Sequence, residues 1–208
     1  MSAEIVRPMD IERKSFEIIT ERLNGRSFGA DKDDIVKRVI HTSADFDYAD
    51  NLVFSDDVVD KILSAIKRGA CIITDTNMAF SGINKKIIHE LGGEVKCFMS
   101  DKDVADEAKK RGVTRAMVSM EKACTLDGEL IFAIGNAPTA LIRIAELAAE
   151  GKLKPCAVIG VPVGFVNVVE AKELIINSDI PHIVARGNKG GSNIAAAIVN
   201  ALIYKIKR

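Results

Sequence analysis

Residues 129–150 read ELIFAIGNAPTALIRIAELAAE. The nearly continuous apolar run from Glu129 to Gly135 has the length, and the lack of polar alternation, expected of a strand buried on both faces. Asn136-Ala137 then turn the chain, and Pro138 falls in the first turn of an apolar-striped helix to Glu150, where its missing N–H is no loss. A strand, short loop and helix in that order imply a parallel neighbour and a helical cover.

The unit recurs in both directions along the chain. Strands are expected at Ala70–Thr74, Glu94–Met99, Glu129–Gly135, Cys156–Val161 and His182–Arg186, with helices near Ile83–Leu91, Asp101–Lys110, Pro138–Glu150, Val166–Asn177 and Ser192–Ile206. Five strands, each followed by a helix, specify an α/β protein: three layers, α/β/α, around a mostly parallel five-stranded sheet. Ahead of it, helical patterns occupy Asp10–Leu23, Asp31–His41 and Ser55–Arg68, with Asp10 and Ser55 as caps and Asn24-Gly25 and Gly69 as stops. Residues 1–69 are therefore expected as a helical N-terminal extension packed on the sheet, within a single domain spanning 1–208.

Lysine plus arginine and aspartate plus glutamate number 29 each, so no global field recruits nucleic acid or an anionic membrane. Cys71, Cys97, Cys124 and Cys156 are widely spaced without a CxxC pair, and read as reduced, buried thiols rather than disulfide partners or zinc ligands. No metal site is expected. The charged N-terminal residues lack the apolar core of a signal peptide. The longest apolar run, Ala157–Val169, is interrupted by Pro162 and Asn167 and falls short of the ~18 residues a spanning helix needs. A cytoplasmic protein is the expectation.

Open parallel sheets bind ligands outside the carboxyl ends of their strands. Here those ends carry Asp75-Thr76-Asn77-Met78, Gly135-Asn136-Ala137-Pro138-Thr139, Gly160-Val161-Pro162-Val163-Gly164-Phe165 and Arg186-Gly187-Asn188-Lys189-Gly190-Gly191-Ser192-Asn193. Small residues, backbone N–H groups and two cations suit a carboxylate- or phosphate-bearing ligand. Neither GxGxxG nor GxxxxGK[ST] is present, which leaves a nucleotide reading weak.

One of the three histidines stands in Lys37–Tyr48, KRVIHTSADFDY, followed by two hydroxyls and two acids. At the C-terminal end of its helix, the His41 imidazolium is favoured by ~0.3–1 kcal/mol. That suits a proton donor, and Asp45 or Asp47 is close enough in sequence to orient it. From the residues alone, a plain helix cap is the commoner role for such a histidine. His89 reads as a surface residue and His182 as structural. Arg115 is open to pairing with Glu121 or Asp127, Gly190-Gly191 to being a tight turn, and Asp75 to capping the segment that follows.

Taken in order, Ile11-Glu12-Arg13-Lys14-Ser15-Phe16, Val39-Ile40-His41-Thr42-Ser43-Ala44-Asp45, Thr74-Asp75-Thr76-Asn77-Met78, Thr114-Arg115-Ala116, Gly135-Asn136-Ala137-Pro138-Thr139-Ala140-Leu141, Gly160-Val161-Pro162-Val163-Gly164-Phe165-Val166 and Gly187-Asn188-Lys189-Gly190-Gly191-Ser192 resemble the precorrin-8X methylmutase family, including its cobalt-precorrin-8 relatives. The resemblance covers nearly the whole chain. It implies an isomerase of cobalamin biosynthesis that moves a methyl group from C11 to C12 of a corrinoid macrocycle, formally a 1,5-sigmatropic shift. No cofactor is implied, because the methyl comes from the substrate. The family's catalytic histidine falls on His41, as a general acid toward a ring nitrogen or conjugated carbon. The substrate is an apolar disc fringed with carboxylates. Motif position and that chemistry nominate Ser15, Thr42, Asp75, Thr76, Arg115, Asn136, Arg186, Lys189, Gly190, Gly191 and Ser192 as substrate-binding residues. The family also implies a homodimer with sites near the subunit interface. Two other classes stay open: an α/β enzyme acting on a phosphorylated or nucleotide substrate, and a corrinoid carrier without turnover.

Overall fold

The structure, a computed structural model, describes residues 7–207. The chain begins with α1 (Pro8–Arg22), α2 (Asp33–Ser43) and the single turn α3 (Tyr48–Asn51), then β1 (Leu52–Phe54) and α4 (Val58–Lys67). The apolar run Cys71–Thr74 forms β2, followed by α5 (Asn77–Gly82), α6 (Lys85–Glu90), β3 (Glu94–Lys96), α7 (Lys102–Arg111) and α8 (Arg115–Ala123). The remainder alternates: β4 (Leu130–Ile134), α9 (Pro138–Ala149), β5 (Ala157–Gly160), α10 (Val168–Ile176), β6 (His182–Ala185) and α11 (Ser192–Ile206).

The strands lie in the order β1-β6-β5-β4-β2-β3, parallel throughout except that β1 runs antiparallel to β6. Every residue of β4, β5 and β6 is buried, as continuous apolar runs in a doubly covered sheet require. Alternate residues divide the core. Ile131, Ala133, Ile159 and Ile183 pack under α2, α4 and α11, whereas Phe132, Ile134, Val158 and Val184 pack under α8, α9 and α10.

Several expectations are corrected. The sheet has six strands rather than five, because Leu52-Val53-Phe54 pairs with Ala185-Val184-Ile183. The region before Gly69 is thus not purely helical; it supplies an edge strand, too short to signal itself in sequence. Ser55 does not cap α4. Its Oγ accepts from the His182 N–H at 2.9 Å, tying the end of β1 to β6, and Asp57 (φ +57) starts the helix. The helix expected near Ile83–Leu91 is present as α6, two residues shorter at its start, whereas α5 ahead of it was not expected. Gly82 lies so close to α11 that a Cβ there would stand 2.9 Å from the Ala196 Cβ, Ile83 is extended, and Asn84 caps a fresh start at α6. The strand expected at Glu94–Met99 stops at Lys96 on the sheet edge, and α8 was not anticipated, although Thr114 caps it by accepting from the Met117 N–H. The four thiols are free, and half-buried rather than buried.

Candidate active site

Three ion pairs fix which end of the sheet His41 occupies. Asp34, in the first turn of α2, accepts from Lys205 in the last turn of α11 at 2.9 Å. Asp45 and Asp47, just beyond α2, accept from Lys189, just before α11. The two helices are therefore antiparallel. The His41 end of α2 lies with the start of α11, at the carboxyl end of β6 where the ligand loops emerge.

The Asp33–Ser43 helix runs two residues further than expected, so His41 sits within its last turn, and Ala44 (φ +54) closes it with its N–H on the Ile40 carbonyl. The imidazole stacks on Phe16 of α1, with ring centroids 5.3 Å apart and planes 11° from parallel. Phe16 in turn faces the Arg38 guanidinium at 4.7 Å. Stacking of this kind holds a ring through its face and leaves both nitrogens at its edge. Among the described residues no group hydrogen-bonds to the His41 ring, and the carboxylates expected to orient it are turned to Lys189 instead. Ser15, its hydroxyl donating to the Ile11 carbonyl, lines a hollow of about 250 Å³ together with His41, Ile18, Arg22 and Ala44. Thr42 is exposed beside it, donating to the Arg38 carbonyl.

On the far side, Thr76 and Ser192 meet hydroxyl to hydroxyl at 2.7 Å, joining the loop after β2 to the start of α11. Thr76 also caps α5 through the Ala79 N–H. Asp75 is fully buried. Its carboxylate accepts from the N–H groups of Gly135, Asn136 and Ala137 at 2.8, 2.8 and 2.6 Å, so it shapes the loop after β4 instead of facing outward. Burial pushes its acid upward, against the pull of those donors. The Asn136 N–H is consequently occupied, and its exposed side chain is what remains for a ligand. Gly190 has a packing reason for lacking a side chain: a Cβ would stand 2.1 Å from the Val161 carbonyl oxygen. Gly191, beside it, donates to the same oxygen at 2.8 Å.

The nominated cations differ. Arg186 forms a two-point pair with Glu173, at 2.7 and 3.2 Å. Lys189 lies between Asp45 and Asp47, which hold it well above the ordinary lysine range, while Lys189 holds Asp45 below the ordinary carboxylate range. Arg115 alone stays exposed without an ion pair among the described residues, its guanidinium reaching the Met99 carbonyl at 3.5 Å; Glu121 pairs with Arg111 and Arg143 instead. His182 is buried with Nδ1 at 2.8 Å from the Ile180 carbonyl, and His89 is exposed in the last turn of α6, both as expected.

Two features were missed in the sequence. Lys172 is fully buried, donating to the Gly187 and Lys189 carbonyls at 2.6 and 2.8 Å. Its signal was a lysine at helical spacing among Val168, Ala171 and Ile175, which form the buried stripe of α10. The second is apolar exposure: Met78, in the first turn of α5, and Val163, Phe165 and Val166, on the loop after β5, are 70%, 48%, 91% and 77% exposed. Large apolar side chains exposed close together, as on the loop after β5, mark a surface that meets a ligand or a partner.

The family model for precorrin-8X methylmutase matches residues 10–205. The cobalt-precorrin-8 methylmutase of Priestia megaterium is 45% identical over 95% of this chain and 88% of its own length. That of Salmonella typhimurium is 43% identical over 98% of each. The crystal structure of a precorrin-8X methylmutase from Thermus thermophilus superposes with a TM-score of 0.85 at 35% identity, covering 94% of this chain and 96% of the other. A match of this extent, in sequence and in backbone alike, leaves one assignment: the chain belongs to the precorrin-8X methylmutase family of isomerases.

Proposed function

We propose that the chain moves a methyl group from C11 to C12 of cobalt-precorrin-8 in cobalamin biosynthesis, with His41 as general acid. The cobalt-containing form of the substrate is favoured by the names of the relatives at 45% and 43% identity. The observation that carries the reading is the presence of His41 at the carboxyl end of the sheet, the end that also exposes large apolar side chains and Arg115, the one nominated cation without an ion pair among the described residues. An imidazole held by its face on Phe16 keeps its nitrogens for the substrate. Met78, Val163, Phe165 and Val166 offer apolar contact to a flat macrocycle. Arg115, the Asn136 side chain and the one hydroxyl proton that the Thr76–Ser192 pair leaves over are suited to its carboxylates, while Ser15 and Thr42 would first have to release the Ile11 and Arg38 carbonyls.

In this mechanism the His41 imidazolium donates to a ring nitrogen or conjugated carbon next to the migrating methyl. The π-system is thereby polarised toward the rearranged isomer, and the proton returns as the methyl settles. The methyl never leaves the substrate, so neither a methyl donor nor a redox partner enters the balance. Acid catalysis of this kind is worth typically ~10²–10⁴-fold.

The reading includes a homodimer. The hollow beside His41 holds about 250 Å³, less than the roughly 300 Å³ at which pockets for drug-sized ligands begin. A corrinoid laid against it needs a second wall, and another copy of the chain meeting the exposed Phe165–Val166 loop supplies one. No helix among the described residues is long and apolar enough to cross a membrane, and we assign the enzyme to the cytoplasm. The decisive experiment follows the visible spectrum of cobalt-precorrin-8 mixed with wild-type protein and with His41→Ala. The variant is expected to retain the pigment and to lose at least ~100-fold in turnover. Wild-type turnover in the variant removes the acid role; a wild-type protein that neither binds nor converts the corrinoid removes the functional reading.

A further inference from the structure

We infer that Lys189 and Lys172 are positioning residues for His41: a brace running from α10 through the loop after β6 to the end of α2. It starts at the buried Lys172, whose Nζ donates to the Gly187 and Lys189 carbonyls at 2.6 and 2.8 Å and meets no carboxylate among the described residues. The backbone of Lys189 is thereby fixed, and its side chain returns across the face of the molecule to Asp45 and Asp47 at 2.5 and 2.6 Å. Those acids follow His41 immediately beyond the left-handed Ala44. Asp45 divides its two oxygens, one accepting from the Asp47 N–H at 3.0 Å and the other from Lys189, while its own N–H donates to the Ser43 hydroxyl at 3.2 Å. The turn is thus held at both of its acids. It is the only covalent continuation of the helix end from which His41 projects.

Charge speaks against the simpler role for Lys189 as a cation for a substrate carboxylate. One ammonium between two aspartates leaves the cluster with a net charge of one negative (+1 − 2 = −1), which repels a carboxylate unless the pairs are broken. The same residues suit a brace: a two-acid clamp sets the direction of α2's last turn, and the buried lysine prevents the loop that carries the clamp from shifting. A misplacement of about 1 Å at a reacting group is enough to lower a rate by roughly 100-fold.

The inference rests on His41 being the acid, and its test separates the two claims. In the protein without substrate, the His41 imidazole resonances are recorded for wild type, Lys189→Met and Lys189→Arg. A brace requires that Lys189→Met move or broaden them and that Lys189→Arg, which keeps a cation for both acids, restore them. Unchanged resonances in Lys189→Met overturn the brace whatever the reaction is. Single-turnover kinetics with cobalt-precorrin-8 form the second arm. Lys189→Met is expected to slow the step by about 10- to 100-fold with substrate affinity held within about threefold, and Lys189→Arg to recover most of it. Loss of affinity with an unchanged step overturns the inference and makes Lys189 a substrate contact. Lys172→Met should act in the same direction. Combined with Lys189→Met it should add little, because both cut one brace; full additivity overturns the link between them. Lys189 is on the surface, so its variants keep the test open should Lys172→Met fail to fold.

Discussion

At the residue scale, the least expected side chain is Lys172. A lysine with no exposed surface, held by two carbonyls and by no acid among the described residues, carries a burial cost that drives its ammonium down to about 8 from an ordinary 10.5. The two carbonyl acceptors work against that shift, since they favour the charged form. Below pH 8 the folded protein holds the buried charge and bears its full cost. Between about 8 and 10.5 the folded lysine has shed its proton while the unfolded one keeps it, so stability is gained as pH rises through that window. Urea unfolding of wild type and Lys172→Met at pH 7 and pH 10 should therefore show the wild type gaining relative to the variant, by at most roughly 3 kcal/mol. A constant difference between the two proteins would refute the assigned titration. Of the candidate site residues, His41 was legible in its placement at a helix end, because the helical pattern of Asp31–His41 runs up to it. Its Phe16 partner was not, because the contact joins two helices whose packing no local pattern specifies.

At the element scale, the strand ends are held together by contacts between loops distant in sequence. The loop after β2 grips the loop after β4 through Asp75, and the loop after β6 touches the end of β5 through Gly190 and Gly191. Gly190→Ala places a methyl 2.1 Å from the Val161 carbonyl oxygen, which belongs to backbone and has nowhere to go. We expect a loss of about 3 kcal/mol in thermal or urea unfolding, the upper end of ordinary overpacking, with the loop after β6 displaced. An undiminished midpoint would show that the two loops part more easily than their contact suggests. The alternation of apolar runs with helical stripes made most of these elements readable. β1, β3 and α5 failed for one cause, being short with limits set by pairing with β6, by the sheet edge and by the approach of Gly82 to α11; α8, nine residues long behind its Thr114 cap, is the exception.

For the whole molecule, the exposed apolar loops imply that the isolated chain presents a surface built to be covered. Phe165, 91% exposed, has no packing role within the chain. Phe165→Glu is therefore expected to leave the melting temperature nearly unchanged, to shift light-scattering mass from twice the chain mass to that of one chain, and to weaken corrinoid binding with it. A wild-type protein that sediments as one chain removes the homodimer from the proposal. The sequence by itself determined the α/β class, the parallel run of strands and the place of His41 at the end of a helix, because period, caps and motif order are local properties of the chain. Only the tertiary structure decided that Asp75 faces inward, that Arg186 is paired with Glu173, that Lys189 clamps the turn after His41 and that Lys172 lies buried beneath it. Those outcomes depend on which charged groups, up to 144 residues apart, are brought within hydrogen-bond reach when the layers close, and a one-dimensional pattern holds no record of that distance.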